Sequence, residues 1–281
     1  MSSGGADSGA NKRTSTDLPR WVSTQARPAP STTPLTRPSG RVQASVSSAA
    51  VAATGSARAT PAASGLGLDS QAVRLAMVQR LRQQPDLSET VLQAMARVPR
   101  HRFVESALVN QAYADTSLPI GWGQTISKPS VVARMLSLLV AGRSQALGRV
   151  LEIGTGCGYQ AAVLAQLARH VSSVERIQGL YGMAKRQLAD CGVRNVNVVF
   201  GDGMRGYRPS APYDAIVAAA GGDAIPQAWL DQLAIGGRLV APCVTAAGVQ
   251  SLILIEHTVT GFQRQQLEPV QFVPLKSGVI G

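Results

Sequence analysis

The run Val150-Leu151-Glu152-Ile153-Gly154-Thr155-Gly156-Cys157-Gly158-Tyr159 constrains this chain more than any other segment. An apolar run of strand length meets three glycines at alternate positions, and a helix-forming stretch, about Tyr159 to Ala168, follows. Glycine has no Cβ, so Gly154, Gly156 and Gly158 let the chain turn sharply and let a ligand lie against the backbone. The helix behind them directs its free N–H groups at the same spot. Seventeen residues after Gly158 comes Glu175, at the end of a second apolar run, His170-Val171-Ser172-Ser173-Val174. An acid at that distance is placed to accept hydrogen bonds from two ribose hydroxyls.

A dinucleotide loop would read G-x-G-x-x-G, whereas this one reads G-x-G-x-G with Tyr159 in the next position. Glu152, just before the loop, suits a ligand with a cationic amino group better than a phosphate. S-adenosylmethionine fits, with adenine and ribose at one end and an ammonium, a carboxylate and a sulfonium at the other. A tight strand-to-helix turn without a ligand would use the same glycines. The ordered arrival of Glu175 and then Gly201-Asp202-Gly203 favours the ligand.

The first 66 residues read as a separate object. Ser, Thr, Ala, Gly, Pro and Arg dominate Met1 to Leu66, and so few large apolar side chains cannot offset the entropy of ordering. The expectation is a disordered, low-complexity basic tail, 1–66, ahead of a single domain, 67–281. The tail holds five of the eleven net positive charges. An organelle transit peptide has similar composition, but a solvated tail is the simpler reading. Its arginines stand singly, without interleaved aromatics, so nucleic acid is not the expected partner. Cys157, Cys191 and Cys243 are odd in number and widely spaced, which predicts neither disulfides nor a metal site. That usage suits a reducing compartment, here the cytoplasm. No apolar run has the length to span a bilayer, so no membrane is expected.

Within 67–281 the pattern divides. Residues 67–148 read as helical: one helix from a cap at Asp69 or Ser70 to about Gln84, and a second from an Asp86-x-x-Glu89 capping box to about Val98. After an irregular stretch, Arg100 to Gly123, a third runs from Pro129 to Val140 with Ser127 or Lys128 at its cap. Residues 149–281 alternate: strand 149–153, helix 158–168, strand 170–174, helix 177–190, strands 196–200 and 213–218, helix 226–234, strand 238–241. Segments 251–256 and 271–275 read as strands with no helix between them. The predicted fold is α/β, a doubly wound Rossmann-like sheet, mostly parallel, with an antiparallel C-terminal edge and added N-terminal helices.

Three groups of residues now resemble one family. Val150 to Ala162, Ser173-Val174-Glu175-Arg176 and Gly201-Asp202-Gly203 look like the cofactor motifs of the protein-L-isoaspartate (D-aspartate) O-methyltransferases, which have the class I methyltransferase fold. Pro99-Arg100-His101-Arg102-Phe103-Val104, Ala112-Tyr113-Ala114-Asp115 and Gly123-Gln124-Thr125-Ile126-Ser127 are similar to that family's substrate-side signature. Phe272-Val273-Pro274-Leu275 matches its C-terminal one. The resemblance covers about Asp69 to Gly281.

The resemblance implies methyl transfer from S-adenosylmethionine, without a metal, to the α-carboxylate of L-isoaspartyl (and D-aspartyl) residues in damaged proteins. It implies Ser127 as the active-site residue, with Thr125 and Ile126 beside it. Glu175 would take the ribose hydroxyls, Asp202 would approach the adenine amino group beside Gly203, and Glu152 would orient the methionine ammonium. Lys128 stands where the family often has glutamine. A monomer is expected. A methyltransferase acting on RNA or a small molecule would share the glycine loop, and a non-catalytic module would keep only the fold.

Overall fold

The computed structural model describes residues 71–281 together with one three-residue strand, β1 (Val22–Thr24). The rest of the expected tail, and the expected caps Asp69 and Ser70, lie outside the described residues. Two helices open the domain, α1 (Gln71–Arg82) and α2 (Glu89–Arg97), followed by two short 3-10 turns. A hairpin of β2 (Leu118–Gly121) and β3 (Gln124–Ile126) leads into α3 (Pro129–Val140). The alternating part is β4 (Leu147–Ile153), α4 (Tyr159–Leu164), β5 (Ala168–Glu175), α5 (Gln178–Asp190), β6 (Val196–Phe200) and β7 (Tyr213–Ala218). It ends with α6 (Gln227–Leu230), β8 (Leu233–Val244), β9 (Gln250–Thr258) and β10 (Gly261–Pro269).

One sheet carries the order β1-β10-β9-β8-β7-β4-β5-β6. Strands β8, β7, β4, β5 and β6 are parallel neighbours, while β9 and β10 are antiparallel. Side chains alternate between the two faces, as the two-residue period of a strand requires. Val150, Ala215, Val217, Val240 and Leu252 join the core under α1 to α4, and Leu151, Ile216, Leu239 and Ile253 join a second core with Trp229. Both faces are therefore covered, the condition for a doubly wound parallel sheet. β4 pairs with β5 on one side and β7 on the other, so the chain reverses its winding there. Ligands of such sheets bind at the carboxyl ends of the strands beside that reversal.

Four local expectations are corrected. Asp86 does not cap α2; it sits in the left-handed region at φ 59°, and Ser88 takes the cap position. The Ser88 N–H is instead satisfied by the Ser137 hydroxyl of α3 at 2.8 Å. Helix α4 stops at Leu164 rather than 168, because Ala168 already pairs with Leu147 in the sheet. The Asn195 amide closes that end by donating to the Ala165 and Ala168 carbonyls. The helix expected over 226–234 is a single turn, since Leu233 joins β8 opposite Tyr213. Finally, 271–275 is not a sheet strand; the outer antiparallel strand is β10. Residues 271–275 run beside Gly221 instead, which donates to the Val273 carbonyl and accepts from Leu275 N. Pro274, without an N–H, suits this one-sided pairing and not a ladder.

Candidate active site

The carboxyl ends of β4, β5 and β7 open into a cleft of about 370 Å³. Its floor is the glycine loop. Gly154 and Gly156 have φ of 87° and 56°, a region L side chains rarely adopt. Both line the cleft. Gly158, at φ 92°, does not line it. A Cβ there would lie 3.3 Å from Leu188 Cγ and 3.4 Å from Ala184 Cβ, so this glycine lets the start of α4 pack directly on α5. Gly203 lines the far wall, where a Cβ would fall 2.6 Å from Ile153 Cγ2. Cys157 is buried, and burial pushes its thiol up to about 11, so it stays neutral and fills space.

Glu175 ends β5 inside the cleft, 4% exposed. Its Oε2 accepts from Gly156 N at 2.8 Å and its Oε1 from Ile177 N at 3.0 Å. These bonds aim the carboxylate and tie the glycine loop to the second strand. Each oxygen keeps a free lone pair for a further donor. Burial raises the Glu175 carboxyl, and the backbone N–H groups of Gly156 and Ile177 oppose that rise.

The other two acids do not line the cleft. Glu152 is fully buried and does not line the cleft. Ser173 Oγ donates to its Oε2 at 2.5 Å, and Thr155 Oγ1 lies 2.6 Å from Ser173 Oγ. Because the single Ser173 proton goes to Glu152, Thr155 is the donor to Ser173. Burial pushes the Glu152 carboxyl up to about 8, against the pull of Ser173 and the Gln160 amide. Glu152 Oε1 and Gln160 Nε2 are both buried without a hydrogen-bond partner; the amide is near enough to favour the carboxylate but falls short of hydrogen-bond geometry. Asp202 also stands outside the lining. Its Oδ1 accepts from Met204 N at 2.9 Å and its Oδ2 from Gly278 N at 2.8 Å.

On the opposite side, Thr125, Ile126 and Ser127 line the cleft from the end of β3. Lys128, exposed, takes the N-cap position of α3 without a side-chain bond. Asp115 Oδ1 accepts from Ser130 N at 2.8 Å and serves that helix start instead. The Ser127 hydroxyl is thus not a cap, and among the described residues it has no partner.

Seven of the candidate residues meet in the cleft: Thr125, Ile126, Ser127, Gly154, Gly156, Glu175 and Gly203. Sequence reasoning missed three contributors. Trp122, at φ 51° on the hairpin tip, lays its indole over Gly179, where a Cβ would fall 2.3 Å from Cζ2. Gln160 lines the wall from the first turn of α4. Residues 273–276 and Ile280 close the cleft from the C-terminus. That segment is held by Ile280 N donating to Arg176 O and Gln178 N donating to Ile280 O. Only the quoted C-terminal signature signalled it.

The family described as protein-L-isoaspartate(D-aspartate) O-methyltransferase matches residues 72–279. A protein-L-isoaspartate O-methyltransferase from Methylibium petroleiphilum is 57% identical over 230 residues, 81% of this chain and 85% of the relative. One from Leptothrix cholodnii is 58% identical over 218 residues, covering 76% of this chain and 77% of the relative. A solved protein-L-isoaspartate O-methyltransferase superposes with a TM-score of 0.66 at 28% identity, over 73% of this chain and 67% of that one.

Proposed function

The chain belongs to the protein-L-isoaspartate (D-aspartate) O-methyltransferase family, and from that membership we propose how its cleft serves the reaction. The enzyme transfers a methyl group from S-adenosylmethionine to the α-carboxyl of L-isoaspartyl, and D-aspartyl, residues in damaged proteins. One observation supports the residue roles most. A single cleft joins Glu175, held by two backbone N–H groups, to a Ser127 hydroxyl that has no partner among the described residues.

S-adenosylmethionine, when bound, supplies a methyl group on a positively charged sulfur that leaves readily. The residues present fit that cofactor. Glu175 offers two aimed acceptors for the ribose hydroxyls, and Gly154, Gly156 and Gly203 leave the approach free of side chains. Asp202 works at the adenine end, where it also holds the closing segment through Gly278. Glu152, one layer back, sets the electrostatics of the amino-acid end through Ser173, Thr155 and Gln160.

The substrate carboxylate is ionised at neutral pH and needs no base. The Cys157 thiol and the Tyr159 phenol beside the cleft, pushed up to about 11 and about 12 by burial, stay neutral. What the protein adds is placement of an oxygen in line with the methyl carbon. Ser127 does this by donating its hydroxyl to the carboxylate, with Thr125 and Ile126 bounding the approach.

Ser127→Ala should therefore slow transfer without abolishing it. One lost positioning hydrogen bond corresponds to about 10- to 100-fold, or about 1.4–2.7 kcal/mol. Affinity for S-adenosylhomocysteine should change far less. The check is single-turnover methylation of an isoaspartyl peptide beside its normal aspartyl twin. A loss of many orders of magnitude, or a covalent adduct on Ser127, would replace positioning with nucleophilic catalysis.

We further propose that residues 67–281 form the complete catalytic unit. Among the described residues β1 pairs with β10, at the sheet edge farthest from β6, and the cleft opens at β4, β5 and β7. Removing residues 1–66 should leave kcat/KM for the peptide within about twofold, since that segment has few core-forming residues. A large fall in kcat/KM would make the tail part of the enzyme. Among the described residues no helix is long and apolar enough to cross a membrane, and the three cysteines are unpaired. We propose a cytoplasmic monomer acting on damaged proteins, with no nucleic-acid partner, since the arginines of the first 66 residues stand singly without interleaved aromatics. Cell fractionation and light scattering test the location and the oligomeric state.

A further inference from the structure

Arg100 is fully buried in a 3-10 turn, outside the residues assigned to the reaction. Its Nε donates to the Ala112 carbonyl at 2.8 Å and its Nη2 to the Ser127 carbonyl at 2.7 Å. Its Cζ lies 4.7 Å from the centroid of the Tyr159 ring. Neither Nη1 nor the buried Tyr159 hydroxyl makes a bond of hydrogen-bond geometry, although the two groups lie near enough for each to favour the charged form of the other. No carboxylate of the described residues forms an ion pair with it. The acid that reaches it electrostatically is Asp115, whose Oδ1 already accepts from Ser130 N.

A buried cation without a counter-ion is costly, and a guanidinium is not needed merely to join two carbonyls. The ring face of Tyr159 offsets part of that cost. The position of the charge suggests what supplies the rest. Ser127 and Tyr159 both line the cleft and both touch Arg100, so the guanidinium stands one side chain behind the wall where the substrate binds. The substrate assigned to this cleft presents a carboxylate there. Water is excluded around Arg100, so little screens its charge.

We propose that Arg100 is a positioning residue for the substrate carboxylate. It fixes the Ser127 main chain from behind and gives the cleft a permanent positive charge in front. The inference rests on the isoaspartyl reading of the cleft. It predicts a division of labour: the charge governs how well the carboxylate is held, and the two-carbonyl fork governs how well Ser127 is aimed.

Two variants separate these parts. Arg100→Met removes the charge and the fork; Arg100→Lys keeps a charge but cannot reproduce the fork. With an isoaspartyl peptide, Arg100→Met should lower kcat/KM by roughly 10- to 30-fold, mainly through KM. Arg100→Lys should keep KM near the wild-type value and lower kcat several-fold. Calorimetric affinity for S-adenosylhomocysteine should stay within about twofold in both. Unchanged KM in Arg100→Met, or an equal rise of KM in the two variants, would overturn the proposal. Should Arg100→Met lose its native circular dichroism, Arg100→Lys alone decides. A lowered kcat at wild-type KM supports the proposal, and a raised KM or unchanged kcat and KM refutes it. Wild-type protein that binds S-adenosylhomocysteine yet leaves the peptide unmethylated would instead refute the isoaspartyl reading itself.

Discussion

Between pH 5 and pH 8 the unliganded protein should become less stable, and Glu152→Gln should remove most of that slope. Glu152 is fully buried in β4, and desolvation pushes its carboxyl up to about 8, helped by the nearby charge of Glu175. In the unfolded chain the same group titrates near the ordinary glutamate value, about 4.3. The native state therefore holds this proton to higher pH than the unfolded state does. Its contribution is fully present below about pH 4 and is lost as the pH rises through about 8. One such proton gives at most about 1.4 kcal/mol per pH unit, so roughly 4 kcal/mol is the ceiling across this window. Glutamine has the same shape, stays neutral, and can still accept from Ser173 Oγ. A smaller slope should survive in the mutant, because burial also raises Glu175. Urea denaturation at intervals from pH 5 to pH 8 measures both slopes. Parallel curves for wild type and Glu152→Gln would mean that Glu152 is ionised throughout and that its burial is compensated in another way.

The two carboxylates also show where sequence reading succeeds and where it stops. Glu152, next to last in β4, and Glu175, the last residue of β5, both lie beside the glycine loop, and strand periodicity locates both. Sequence distance cannot say that Glu175 faces the cleft while Glu152 lies behind it under Ser173 and Gln160. That difference arises from side chains supplied by β5 and α4. The same holds for the glycines. Their spacing marks the loop, yet Gly158 serves the contact of α4 with α5, and only the position of Leu188 reveals it. The parallel core was legible because β4, β5 and β7 are apolar on both faces. The strand limits were less so. Leu233 falls within the helix expected over 226–234 but is buried and pairs with Tyr213 across the sheet, a tertiary contact that outweighs local preference. Arg100 was visible in the substrate-side signature, but its importance comes from missing partners, and a sequence does not record those.

Replacing Glu175 with alanine should weaken S-adenosylhomocysteine binding by about 1.5–3 kcal/mol, or about ten- to 150-fold. Two losses add up in that figure. Hydrogen bonds from the ribose hydroxyls to an ionised acceptor disappear, and bonds to charged groups are the stronger class. The Gly156 and Ile177 N–H groups also lose the acceptor that holds the glycine loop against β5. A loop at φ 56° for Gly156 and 87° for Gly154 has many other conformations available to it, so removing its tether makes binding pay for ordering it again. Glu175→Gln separates the two losses. Its amide oxygen can still accept from one backbone N–H, while its NH2 group faces the other as a donor. Its affinity should fall between wild type and alanine. Calorimetry with S-adenosylhomocysteine provides the measurement, and an affinity unchanged in Glu175→Ala would remove Glu175 from the cofactor site. Equal losses in alanine and glutamine would show that charge, and not the tether, dominates. An affinity close to wild type in glutamine would show that loop order dominates and that the ribose needs only one neutral acceptor.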